Sequence, residues 1–293
     1  MFCYSAYNLG IGSEIALSEL PLGDSGRDVE VTLMPPGGVV NNRSIQWDDG
    51  PPFHAHFAFP KAGKFVVREG RRILITPEPD VDPEYLRMYV QGMMLAAVLH
   101  QRGLFVLHSS VVNLNGRAIA LIGPVGAGKS SMASAFYARG CPVIADDNAA
   151  IEWTGNSPLV LSAFPVLKVY PDVAASLGHD REALSVIHAT QRKQAQEVRR
   201  SFSTAPVALA GICVLDREAP SDAMQRLSPV ESITELIRHS VPARWGVKAN
   251  GEHLRMCGRL AATVPMYRIR TFTDLNEIPR MVAQIENQFA PRN

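Results

Sequence analysis

Residues 121–132 read LIGPVGAGKSSM. An apolar run with strand composition enters three glycines, Gly123, Gly126 and Gly128, and the chain leaves through Lys129, Ser130 and Ser131. Glycine admits left-handed backbone without a steric penalty, so the three mark a tight loop between a strand and a helix. The spacing satisfies GxxxxGK[ST]. In such a loop successive backbone N–H groups turn inward around anionic oxygens, and the helix that follows adds its N-terminal amides and dipole. A lysine at position 129 reaches outer phosphates, and a hydroxyl at position 130 ligates Mg²⁺. A strand before the loop and a helix after it separate this pattern from a chance glycine turn. The expected binding residues are Gly123, Pro124, Val125, Gly126, Ala127, Gly128, Lys129, Ser130 and Ser131, with ATP and Mg²⁺ as the cofactors.

The flanking sequence extends the pattern. In LFVLHSSVVNLNGRAIALIG, Asn115-Gly116 joins two apolar runs as a hairpin that delivers the chain into the loop. A helix is expected over 129–138, with Gly140 as its stop. CPVIADD then reads as a short buried strand ending in Asp146 and Asp147, and VALAGICVLD as another ending in Asp216. Carboxyl ends of neighbouring parallel strands share one edge, so Asp146 and Asp147 should approach the loop. They suit holding Mg²⁺ or accepting the proton of an attacking hydroxyl. Adjacent strand residues face opposite ways, so at most one is the base. Asp216 is a rival metal ligand. Ser228, Pro229 and Glu231 form a capping box for a helix whose buried side is expected at Ile233, Leu236 and Ile237. A strand, MYRIRTF, and a helix over about 276–289 close the chain. Alternating strands and helices from residue 104 onward argue for an α/β core.

Residues 1–80 look β-rich, with DVEVTL, KFVVREG and RRILITP as strands between Gly and Pro clusters. FHAHFAF alternates, with Phe53, Ala55, Phe57 and Phe59 on one face and His54 and His56 on the other. With no third ligand visible, that second face reads as solvated rather than metal-binding. A helix follows, capped by Asp82 and Pro83 and ended by Gly103, with Leu86, Val90, Met93 and Ala97 as its buried stripe. The expected division is a β-rich region over 1–80 and an α/β core over 81–293.

Lys plus Arg is 29 and Asp plus Glu is 28, so no basic field argues for nucleic acid. YLRMYVQGMMLAAVLH, interrupted by Arg87 and Gln91, is too short to span a bilayer. Four scattered cysteines and a start without a basic n-region point to a cytoplasmic protein with reduced thiols. Lys168 reads equally as a phosphate contact and as a surface lysine. QRKQAQEVRR, residues 191–200, reads as a solvated helix face before a mobile basic grip. Arg238, near a helix end, is a candidate phosphate clamp, whereas His188 and His253 offer nothing beyond surface or core positions.

The segment LHSSVVNLNGRAIALIGPVGAGKSSMASAFYARGCPVIADD resembles the catalytic core of the HPr serine kinase/phosphorylase family. The shared pattern is a histidine before a two-strand hairpin, a GxxGxGKS loop, a helix ending near a glycine and a strand ending ADD. His108, Gly123, Gly126, Gly128, Lys129, Ser130, Asp146 and Asp147 match it position by position over about 50 residues. The resemblance implies an α/β P-loop fold of the kind shared with phosphoenolpyruvate carboxykinase, with Asp146 as general base and His108 an accessory residue near it. FPVLKVYPD, with Lys168, stands where that family carries a glycine-rich signature with a glutamate, which argues against HPr as substrate and against phosphorolysis. YSAYNLGIGSEIALSELP is similar to the start of HPr-kinase-related proteins found with lasso-peptide biosynthesis, which phosphorylate a C-terminal serine of a precursor peptide.

Residues and resemblance together lead to the expectation of an ATP- and Mg²⁺-dependent serine kinase acting on a peptide or small protein. Asp146, His108 and Lys129 are its catalytic residues, and Ser130 and Asp147 hold the metal. No nucleic-acid or membrane partner is expected, and a homo-oligomer is plausible by resemblance. The rivals are an HPr-type or small-metabolite kinase, a carboxykinase-like lyase, and a nucleotide-binding regulator without catalysis.

Overall fold

The computed structural model describes residues 1–24, 26–48, 53–178, 184–188, 191–247 and 249–290. The chain forms two compact units, Met1–Val106 and Leu107–Asn293.

The first unit holds β1 (Phe2–Ala6), β2 (Leu9–Ser13), β3 (Val29–Leu33), β4 (Ser44–Trp47), β5 (His54–Phe59), β6 (Gly63–Arg68) and β7 (Arg72–Pro77). They make one sheet in the order β1-β2-β3-β7-β6-β5-β4. Period-two alternation decides its faces. On β5, Ala55, Phe57 and Phe59 are buried, and His54 and His56 take the other side. The helical segment runs through α1 (Pro83–Tyr89), a π-helical turn over Val90–Met94, and α2 (Leu95–Gln101). Asp82 accepts the Glu84 amide as N-cap, and Gly103 ends the segment with φ of 80°. The wider i→i+5 turn takes up an extra residue and advances the apolar stripe, so Met94 is fully buried where the simple period predicts Met93.

Tyr89 stacks on Phe59 at 4.2 Å between ring centroids, and Gln101 Oε1 accepts the Gly70 amide at 2.8 Å. The helical segment over residues 83–101 therefore packs on the N-terminal sheet. The expected boundary at residue 80 falls inside this unit because the strands need that helix to bury their apolar face. The strand β8 (Phe105–Leu107) crosses the division.

The second unit continues with β9 (Ser110–Leu114), β10 (Arg117–Ile122), α3 (Lys129–Ala138), β11 (Val143–Ala145), β12 (Ala149–Thr154), β13 (Ser157–Val160), β14 (Val166–Val169), α4 (Pro171–Ser176), β15 (Leu184–Val186) and β16 (Gln194–Glu197). It ends with β17 (Val207–Asp216), β18 (Gln225–Arg226), α5 (Pro229–His239), α6 (Val241–Arg244), α7 (Gly251–Thr263), β19 (Met266–Arg270) and α8 (Ile278–Phe289).

Its main sheet runs β11-β9-β10-β17-β13-β12. The long β17 is parallel to β10 along one edge, and along the other it pairs first with β13 and then, in parallel, with β19. β9 and β10 form the expected hairpin, with Asn115 and Gly116 both left-handed at φ of 52° and 82°. β11 does not neighbour β10. The antiparallel β9 lies between them, yet β10 and β11 point the same way and end on one edge. A second sheet, β14-β16-β15, takes up residues 194–197, so the expected solvated helix over 191–200 is in part a strand. Its alternating polar residues suit a two-sided environment as well as a helix face.

One helix face differs from expectation. On α5, Ser232, Glu235 and Leu236 are buried, and Ile233 and Ile237 are only half-buried. The cause is electrostatic: the Glu235 carboxylate accepts from Arg268 of β19 at 3.3 Å and lies 3.5 Å from His239, which satisfies a buried charge. α8 packs Phe289 over β17, where Gly211 leaves room for the ring. A Cβ at Gly211 would overlap that ring. Gly211→Ala is expected to destabilise by about 1–3 kcal/mol through overpacking. Urea unfolding checks this, with Gly211→Ala/Phe289→Leu costing less than the sum of the two single changes.

Candidate active site

The site builds outward from the loop between β10 and α3, entirely within the second unit. Gly123 has φ of 149° and Gly128, the N-cap of α3, has φ of 92°. Both need glycine for space as well. A Cβ at Gly123 would lie 2.6 Å from the Leu215 carbonyl oxygen, and one at Gly128 2.6 Å from the Phe272 ring. Thr271 Oγ1 donates to the Ala127 carbonyl at 2.6 Å and Arg217 to that of Gly126 at 2.9 Å, which ties the loop's outer carbonyls to the sheet.

Lys129 folds back over its own loop. Its Nζ donates to the Gly123 carbonyl at 2.8 Å and to that of Pro124 at 3.1 Å. Burial and then the charge of Lys193 bring its pKa down to about 8, against the pull of Asp146 and Asp147. Lys193, within the basic segment 191–200, donates to Ser130 Oγ at 3.3 Å and rests over the Tyr170 ring at 5.6 Å.

Asp146 is buried, and both its oxygens accept hydrogen bonds. Its Oδ1 accepts from Ser110 Oγ at 2.5 Å and Ser130 Oγ at 3.1 Å, and its Oδ2 accepts the Lys168 amide at 2.9 Å. Asp147 Oδ2 takes the Lys168 ammonium at 2.6 Å. Burial alone would raise the Asp147 pKa, but Lys168, His108 and Arg244 together hold it well below the usual carboxylate range. The two aspartates do not face opposite ways as expected. β11 ends at Ala145, and Asp147 is left-handed at φ of 69°, so the turn brings both carboxylates to one cavity.

His108 Nδ1 lies 2.8 Å from the Asp147 carbonyl oxygen and 2.8 Å from Arg244 Nη1. One ring nitrogen cannot accept and donate at once, so only one of these contacts is a hydrogen bond at a time. Burial, then Arg244 and Lys129, push the His108 pKa down to about 3.

The cavity has a volume of about 280 Å³ and brings together His108, Lys129, Asp146, Asp147, Lys168 and Arg244 with the loop. Four cationic groups, counting Lys193, face two carboxylates there, which gives the cavity a surplus of positive charge suited to an anionic ligand. Ser130 Oγ and Asp146 together offer a hard oxygen pair suited to Mg²⁺. Val125 and Ser131 also line the cavity.

Other expected residues lie elsewhere. Arg238 pairs with Glu235 at 3.3 Å on the surface, and Asp216 pairs with Arg268 at 3.4 Å. His188 is buried, and His253 lies inside the unit with Nε2 2.9 Å from Ser240 Oγ. Sequence reading missed Ser110 and Arg244. Ser110, two residues after His108, opens β9 and carried the signal of that closeness in sequence, and Arg244 carried none.

A neutral His108 has a measurable consequence. A folded pKa below the unfolded one means that protonation opposes folding. The stability this group supports is complete above the ordinary histidine pKa of about 6.5 and declines as pH falls below it. The His108 imidazole resonances are expected not to titrate between about pH 5 and 8. Arg244→Met should move the midpoint up from about 3, and two-dimensional NMR carried from pH 8 down to the acid limit of the fold reads both.

No family model matches the chain, and no curated protein is similar to it. Among solved structures it is similar to the HPr(Ser) kinase/phosphatase of Coxiella burnetii, over 62% of this chain and 95% of that one, at 11% identity and a TM-score of 0.35. Among the described residues no helix is long and apolar enough to cross a membrane.

Proposed function

We propose that this chain is an ATP- and Mg²⁺-dependent phosphotransferase that phosphorylates a seryl hydroxyl on a peptide or small protein. The observation that carries the reading is the convergence of Lys129, Ser130 and the two aspartates on one cationic cavity at the mouth of a glycine loop. The finer reading, a serine at the C-terminal end of a lasso-peptide precursor, rests on the N-terminal sequence resemblance alone.

In the proposed reaction the loop and Lys129 bind the polyphosphate. Lys129 gives up its contacts with the Gly123 and Pro124 carbonyls for phosphate oxygens, which are stronger, charged acceptors. Mg²⁺, when bound, would be held by Ser130 and a carboxylate and supplies charge neutralisation. The acceptor serine Oγ forms its bond to the γ-phosphorus as the bridging oxygen–phosphorus bond breaks. ADP leaves with that electron pair, and the seryl proton passes to an aspartate carboxylate.

The contacts favour exchanging the roles expected from sequence. Asp146 lies against the Ser130 hydroxyl and suits the metal side. Asp147 has one oxygen on Lys168 and keeps 26% of its side chain exposed. Its low pKa makes it an orienting group more than a strong base, which a loose transition state tolerates. The His108 imidazole lies at the Asp147 carbonyl, behind the turn.

The test is turnover with labelled ATP and serine-containing peptides, including one with a C-terminal serine. Lys129→Ala should nearly abolish transfer with the fold retained, and a chelator should do so reversibly. Asp147→Asn should lose about 10²–10⁴-fold in rate with no rescue by added Mg²⁺. Asp146→Asn should be partly rescued. The opposite pattern restores the first assignment, and two fully active variants would refute the reading.

A second prediction follows from the Lys129 pKa of about 8. Free Lys129 loses its charge as pH rises through that value, so ATP affinity should fall above it, approaching tenfold per pH unit. Lys129→Arg should remove this dependence, which calorimetric titration across pH would show.

A further inference from the structure

The first unit carries a cluster of metal-type donors that the phosphate chemistry does not use. His54 and His56 stand two residues apart on β5 and share the face opposite its buried residues. β4 pairs antiparallel with β5, with Gln46 opposite His56 and Trp47 opposite Ala55. Carrying that register one step further sets Asp48 opposite His54, and the Asp48 amide donates to the His54 carbonyl at 2.9 Å. Period-two alternation then puts the Asp48 carboxylate on the face of the two imidazoles. The ligand atoms of Asp48, His54 and His56 all lie within 4.8 Å of one another. Among the described residues no hydrogen bond or ion pair engages that carboxylate or either imidazole nitrogen. The register of the sheet thus supplies the third ligand that the strand alone lacks.

From this juxtaposition we propose that Asp48, His54 and His56 form a binding site for a late first-row divalent cation such as Zn²⁺, which clips the edge strand β4 to β5. Two imidazoles and one carboxylate select Zn²⁺ and its neighbours over Mg²⁺, whose sites are built from oxygens. Metal–ligand bonds of about 2.0–2.2 Å put donors on one ion within about 4.4 Å of each other, a gap that rotation of a partly exposed imidazole closes. Three protein ligands leave a position for water. Arg68 of β6 lies opposite His54, and its charge works against the ion. The affinity is therefore expected to fall well short of a closed four-ligand structural site.

The clip has a physical use. β4 is the edge of its sheet and only four residues long, so ladder bonds alone hold it weakly. An ion that binds the folded strand pair and not the unfolded chain stabilises it by mass action.

The test uses the full chain, stripped with a chelator and then titrated with Zn²⁺ in excess Mg²⁺, by calorimetry and by competition with a chromogenic chelator. One equivalent should bind, and Co²⁺ in its place should give visible d–d absorption. His54→Ala, His56→Ala and Asp48→Asn should each weaken binding at least tenfold. Zn²⁺ should raise the unfolding temperature of the parent chain and not that of His56→Ala. The positions are on an open strand face, so matching unfolding temperatures without metal establish that the variants fold. His56→Gln serves if the alanine variant does not. Zn²⁺ bound equally by all variants, or not bound by the parent chain, overturns the proposal. Phosphotransfer plays no part in these readouts.

Discussion

A buried carboxylate is stable only when donors meet its oxygens, and the second unit is arranged around one that has three. Asp146 collects Ser110 from β9, Ser130 from α3 and the Lys168 amide from β14. Each donor comes from a different element, so the charge can be accommodated only when hairpin, helix and second sheet are all in place. The same contacts set the glycine loop beside the aspartate turn. Loss of any one donor would leave part of a buried charge unpaired, which costs more than the bond itself contributes. Fold and site are therefore one arrangement here.

Around that carboxylate the cations outnumber the anions, and the surplus is held in reserve. Lys129 occupies the loop's own carbonyls, Lys168 occupies Asp147, and Lys193 donates to Ser130. Arg244, largely exposed, packs against His108, which stays neutral because it is buried and, after that, because a second positive charge beside Arg244 is unfavourable. A polyanion entering the cavity would offer all four cations better partners than the neutral or singly charged acceptors they now hold. Positions already fixed by the fold need little rearrangement to meet it, which is how preorganised electrostatics act.

The elements that were legible in the sequence are those fixed by neighbours along the chain. The hairpin at Asn115-Gly116, the bounds of α3 and the capping box of α5 follow from local backbone chemistry. What was not legible depends on register and on distant charges. Nothing near Arg244 in sequence marks it, whereas Arg238, which looked better, is turned to the surface by Glu235. The buried face of α5 is set by Arg268 on β19, some thirty residues away. The π-helical turn moved the stripe from Met93 to Met94 for a reason that a fixed period does not contain. His54 and His56 could be placed on one face, but Asp48 joins them only through the pairing of β4 with β5.

The Asp147 turn shows the same division at the scale of one residue. Two adjacent aspartates on a strand would put one carboxylate in the cavity and one away from it. β11 stops at Ala145, the Asn148 amide closes a turn onto the Asp146 carbonyl at 2.9 Å, and Asp147 takes a left-handed backbone. That conformation is uncommon for a residue with a side chain, though Asp and Asn adopt it more readily than most. Strain of this kind costs on the order of 1–3 kcal/mol and persists only where surrounding contacts hold it. The holding contacts are Lys168 on the carboxylate and His108 at the backbone carbonyl, both lining the same cavity. A surface turn with no further role would relax to an ordinary conformation or carry glycine. Two cavity residues keep the aspartate here, and both carboxylates thereby stand on one side, one at the Ser130 hydroxyl and one beside Lys168.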